Sequence, residues 1–89
     1  MHKPKTKEQI VRQLKIVEGQ VRALQGMVAS GKYCIDIITQ TSAVKRALSS
    51  AEDALMENHL NCCATDQVKK GKGSKMADEI LKVYRLKRK

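Results

Sequence analysis

The sequence predicts an all-α chain of three helices, an antiparallel helical hairpin followed by a short third helix. Three observations carry this. The one proline stands at position 4, so everything after it is free to be helical. Apolar residues recur at steps of three and four over two long stretches. Of the glycines, Gly31 and those within Lys69–Gly73 stand where those stretches stop.

The elements follow in order. Residues 1–5, MHKPK, are polar and aperiodic and read as a mobile N-terminal arm. Thr6 and Gln9 have capping-box spacing, so helix one starts near Thr6. Ile10, Leu14, Val17, Val21, Leu24 and Val28 alternate steps of four and three, a coiled-coil-like seam running to about Ser30. Gly31 supplies the left-handed residue that commonly ends a helix. Helix two is expected from about Tyr33 to Cys63, with Ile35, Ile38, Val44, Leu48, Ala51, Leu55 and Leu60 as its apolar pattern. Ala43, Ala47 and Ala54 are small enough to let a neighbouring helix approach closely. After the KKGKG break, Ser74 is placed to cap helix three, with Asp78 and Glu79 in its first turns. Met76, Ile80, Val83 and Tyr84 give that helix an apolar face ahead of the basic tail Arg85–Lys89.

At 89 residues the chain is expected to be one domain, and a chain this short buries a limited share of its surface alone. One hairpin leaves apolar surface open; two packed together make a four-helix bundle, so a dimer is expected. Eighteen Lys and Arg against nine Asp and Glu give a net charge of +9, which favours a polyanion, nucleic acid first, as partner. No apolar run approaches the roughly 20 residues of a membrane span, and no signal-peptide stretch opens the sequence, so a cytoplasmic protein is expected. Three cysteines, Cys34, Cys62 and Cys63, suit metal or redox chemistry better than structural disulfides in a reducing compartment.

His59 and Cys63 stand four apart, which on a helix sets an imidazole and a thiol on one face, one turn from each other, as a ligand pair. Cys34 lies at the far end of the same predicted helix, about 37 Å away at the α-helical rise. Either Cys34 is an inert thiol, or helices of two chains run antiparallel so that Cys34 of one meets His59 and Cys63 of the other. In the second reading two thiolates and one imidazole suit Cu(I) or Zn(II), and three-coordination favours Cu(I). Adjacent residues on a helix point about 100° apart, so Cys62 is expected to face away from the ion.

The stretch RQLKIVEGQVRAL from Arg12 to Leu24, the YC pair Tyr33–Cys34, SAVKRAL from Ser42 and HLNCC at 59–63 resemble the CsoR/RcnR family of metal-sensing repressors across nearly the whole chain. The resemblance implies Cys34, His59 and Cys63 as Cu(I) ligands across a dimer interface, with Tyr33 and Glu79 as supporting partners around them. It implies a disc-like dimer of dimers, without a helix-turn-helix, that binds double-stranded operator DNA and lets go on metallation to derepress metal efflux or resistance genes. Arg12, Lys15, Arg22, Lys45 and Arg46 lie in the matching segments and are the candidate phosphate and groove contacts.

Related readings differ in particular residues. Nickel and cobalt sensors of the family add an N-terminal histidine, a role open to His2, which would complete the four ligands of square-planar Ni(II). Persulfide sensors replace the histidine that His59 matches, although Cys62 beside Cys63 keeps thiol-redox sensing as an alternative. Formaldehyde sensors use an N-terminal proline beside the first cysteine, whereas the proline here is Pro4, behind Met1, His2 and Lys3, which argues against that assignment. An enzyme with Cys34 or Cys63 as nucleophile and His59 as base lacks a third orienting group, so no enzymatic activity is expected. A purely architectural nucleic-acid-binding protein would show no metal response.

Overall fold

The computed structural model describes residues 2–88, and among them every regular element is helical. The chain forms two compact units, one ending at Ala54 and the other beginning at Leu55.

In the first unit, α1 spans Lys7–Ala29. Thr6 caps it as the sequence predicts: Gln9 donates its backbone N–H to the Thr6 hydroxyl at 3.2 Å, and the Thr6 N–H donates to Gln9 Oε1 at 2.8 Å. Residues 2–5 are exposed and non-helical, and Lys5 Nζ donates to Gln13 Oε1 at 3.1 Å. The helix ends in a Schellman motif. Gly31, at φ 72°, donates to the Val28 carbonyl at 3.2 Å, and Lys32 donates to the Met27 carbonyl at 3.0 Å. An L-side chain would be strained at that φ.

α2 spans Cys34–His59, beginning where the Tyr33 carbonyl accepts from Asp36 and Ile37 N–H groups. Its course up to Ala54 runs antiparallel to α1: Gln13 Nε2 donates to the Ala47 carbonyl at 3.1 Å, and Gln20, Leu24 and Met27 share a cleft with Gln40 and Val44. Ile10, Val17, Val44, Ala51 and Ala54 are buried here.

The predicted seam of α1 divides in two. Ile10 and Val17 are buried and Leu24 half-buried, whereas Leu14, Val21 and Val28, each offset by four, are exposed. α2 divides likewise. Val44 and Ala51 face inward together with the small residues Ala47 and Ala54, while Ile35, Ile38, Leu48 and Leu55 of the predicted pattern are exposed. Ile37 takes the half-buried place instead. Small residues thus line the close contact within the hairpin, and the large aliphatic side chains form a second stripe that one chain leaves open.

In the second unit the predicted helix two does not continue as α-helix to Cys63. α2 stops at His59, a π-helical turn occupies Leu60–Ala64, and α3 follows over Thr65–Lys69. Thr65 explains part of this departure: its hydroxyl donates to the Leu60 carbonyl five residues back at 2.9 Å. Ala64 is buried on the inner side of the turn. A second Schellman motif ends α3, with Gly71 at φ 76° donating to Val68 at 3.1 Å and Lys72 to Gln67 at 2.7 Å.

α4 spans Gly73–Arg88. It starts ahead of Ser74, whose place is therefore inside the first turn and not at the cap; Met76 N–H bonds back to the Lys72 carbonyl at 3.1 Å, which begins the helix at the glycine. Gly73, Met76, Ile80 and Val83 form its half-buried face against α3. Tyr84, expected on that face, is 59% exposed and instead lies under the Arg88 guanidinium, 5.5 Å from the ring centroid.

Candidate metal centre and nucleic-acid interface

Cys34 is the first residue of α2 and is exposed, with Tyr33 just before it 69% exposed. The Schellman turn at Gly31 fixes the direction in which the chain enters this helix. His59 is the last residue of α2 and half-buried; Cys62 and Cys63 lie on the π turn that follows, both exposed. None of the three cysteines is in a disulfide.

On this turn Cys62 Sγ and Cys63 Sγ lie 3.5 Å apart in an S–H···S contact. π turns inside helices are frequent at functional sites, and this one carries two of the three cysteines.

Among the described residues no three His, Cys, Asp or Glu side chains of one chain gather into a group able to hold a metal ion. Cys34 is the first and His59 the last residue of the 26-residue α2. Glu79, on α4, accepts a hydrogen bond from Gln67 Nε2 of α3 at 3.0 Å. His2 is exposed and lies before the cap of α1.

Arg12, Lys15 and Arg22 are exposed on α1, and Lys45 and Arg46 are exposed on α2. Among the described residues no carboxylate pairs with any of the five. The spacing of Arg12, Lys15 and Arg22 by three and seven places them along one side of α1. Lys7 was not singled out from the sequence, yet it lines a shallow groove with Arg12, Lys15, Glu8 and Val11. Its spacing of eight from Lys15, near two helical turns, is the signal that identifies it.

Residues 6–85 match the profile of the family described as metal-sensitive transcriptional repressor. The chain belongs to this family. Its members are regulators of transcription and not enzymes, which removes the nucleophile-and-base reading of Cys34, Cys63 and His59. A transcriptional repressor binds DNA, the partner class that the +9 charge indicates.

Among relatives, the copper-sensing transcriptional repressor CsoR of Bacillus subtilis is 42% identical over 81 residues, 91% of this chain and 80% of that protein. The copper-sensing repressor RicR of Mycobacterium tuberculosis is 45% identical over 65 residues, 73% of this chain and 68% of that protein. In three dimensions the chain resembles the crystal structure of the copper-sensing repressor CsoR with Cu(I) from Geobacillus thermodenitrificans. The TM-score is 0.84 at 38% identity, covering 99% of this chain and 95% of that one. No helix among the described residues is long and apolar enough to cross a membrane.

Proposed function

We propose that this chain is a copper-responsive repressor that holds operator DNA when metal-free and releases it when Cu(I) binds Cys34 of one chain together with His59 and Cys63 of another. The observation that carries the reading is the placement of ligand-type residues at opposite ends of α2, in a chain that resembles a Cu(I)-bound repressor over nearly its full length. One chain cannot close such a set; two antiparallel copies of α2 close it twice.

The donor set fits the ion. Two soft thiolates and an imidazole are the ligand types that select Cu(I), and His59, Cys63 and Cys34 supply no hard oxygen that would favour Mg or Ca. When bound, Cu(I) would supply a thiophilic centre held by Cys34 of one chain and by His59 and Cys63 of another. Tyr33, directly before Cys34, and Glu79, hydrogen-bonded to Gln67 on the segment following Cys63, are the residues that would orient the donors from outside.

The exposed stripe of Leu14, Val21 and Val28 on α1 and of Ile38, Leu48 and Leu55 on α2 supports assembly. Two hairpins that bury it form a four-helix bundle within a homodimer, and pairs of dimers make the tetramer. All 89 residues then act as one metal-sensing DNA-binding unit, working in the cytoplasm where the operator is. Arg12, Lys15, Arg22, Lys45 and Arg46, joined by Lys7, present unpaired positive charge for phosphate contact. Release follows from linkage: whatever affinity the ligand residues gain in the DNA-incompetent conformation is lost from DNA binding by the same factor, typically about 5- to 150-fold.

The test is a fluorescence-anisotropy titration of the reduced chain with its upstream promoter DNA, followed by anaerobic Cu(I) or, separately, Ni(II). Loss of DNA binding with Cu(I) alone supports the reading. Loss with Ni(II) makes His2 a ligand, and no response to either metal overturns it.

A further inference from the structure

Cys62 has no part in the proposed copper set, yet its Sγ stands 3.5 Å from Cys63 Sγ on an exposed turn. We propose that Cys62 and Cys63 form a bidentate site for trivalent arsenicals. The proposal does not rest on the copper reading, with which it shares only Cys63.

The argument begins with the bite of the pair. Two bonds of about 2.3 Å, the length of a zinc–thiolate bond, span about 3.3 Å if they meet at a right angle and about 3.8 Å at the tetrahedral angle. A linear two-coordinate ion with the same bonds needs sulfurs about 4.6 Å apart. The observed 3.5 Å falls in the first range and well short of the second. It therefore suits a pyramidal, three-coordinate centre that takes two thiolates and keeps its third bond for a substituent. Trivalent arsenic is such a centre, and the exposure of both cysteines leaves room for the substituent.

The same neighbours are poorly placed to leave the dithiol state. Adjacent Cα atoms lie about 3.8 Å apart across a trans peptide, less than the roughly 4.4 Å that disulfides ordinarily require. Cys34 offers no comparable site, being the one cysteine in the unit that ends at Ala54.

The chemistry is a condensation. With an organoarsenic(III) oxide, both S–H bonds break, two arsenic–sulfur bonds form, and the oxygen leaves with the two thiol protons as one water. Arsenic remains trivalent and no electron is transferred.

The experiment treats the reduced full chain with one equivalent of phenylarsine oxide under anaerobic conditions, passes it through gel filtration and measures intact mass. Wild type and C34S are expected to retain one arsenical per chain, seen as the mass of the reagent less one water, and to lose it to excess 2,3-dimercaptopropanol. C62S and C62A are expected to lose it on the column while keeping wild-type far-ultraviolet circular dichroism and Cu(I) response. Retention by folded C62S or C62A, or failure of wild type to retain the reagent, overturns the proposal. Because the readout is mass, it stands whether or not Cu(I) releases DNA.

Discussion

The hairpin up to Ala54 and the segment from Leu55 onward are built by different means from similar residues. The hairpin is regular: a reciprocal cap at Thr6 and Gln9, uninterrupted α-helix, and a buried face of Ile10, Val17, Val44 and Ala51. The later segment breaks its helix with a π turn, turns sharply at Gly71 and, among the described residues, buries only Ala64 outright after Leu55. Cys62, Cys63 and, at its edge, His59 lie at this irregularity. A regular hairpin provides a stiff frame that presents basic residues. The π turn carries two adjacent thiols in contact.

The largest effect expected from disturbing this contrast is at the proposed ligands. Cys63→Ala and His59→Ala should each lower Cu(I) affinity by more than about 100-fold, beyond the 10- to 100-fold typical of outer partners, while apo DNA affinity stays near wild type. Competition with a Cu(I) chelator, read beside DNA anisotropy, checks both halves. An affinity loss confined to about tenfold would place the residue outside the ligand set.

Overpacking comes next. Ala51 is 2% exposed, so Ala51→Leu forces extra volume into the hairpin and should cost about 1–3 kcal/mol, read as a lower urea midpoint. The same enlargement at the exposed Ser50 should leave the midpoint nearly unchanged.

The two Schellman glycines give a matched pair. Gly31→Ala and Gly71→Ala each impose a side chain at a φ near 70–80°, at a cost of about 1–2 kcal/mol. Hydrogen exchange should show the first loosening α1 and the start of α2, and the second loosening α3 and α4.

The smallest change is Thr65→Val, which removes the hydroxyl from the Leu60 carbonyl and should cost about 1 kcal/mol. Its protection loss should be confined to the π turn, with α1 unaffected by hydrogen exchange.

Much of the hairpin is legible in the sequence because its signals are local. Thr6–x–x–Gln9 specifies the cap, and Gly31 specifies the turn. Which stripe faces inward is less legible, since Ile10 and Leu14 are both large aliphatic residues and only tertiary packing decides that Ile10 is buried and Leu14 exposed. The π turn is not legible. It depends on a hydroxyl at Thr65 reaching a carbonyl five residues back and on the burial of Ala64, neither of which leaves a periodic trace. For that reason regular helix is expected as far as Cys63, where α2 in fact stops at His59, and Ser74 is misread as a cap when Lys72 and Gly73 already start α4. His59 and Cys63 stand out as a ligand pair because a spacing of four is visible in the sequence. Cys34 carries no such local signal, and its proposed place with them comes from the resemblance to a known family.

The most direct test of a shared site is subunit mixing. Reduced C34S and C63S chains, each expected to bind Cu(I) poorly alone, are unfolded together, refolded and titrated with Cu(I) against a chelator. A site built from two chains predicts recovery of about a quarter of wild-type high-affinity capacity, because random pairing makes half the dimers hybrid and each hybrid restores one of two sites. No recovery in the mixture, with both variants folded and dimeric, would contradict it.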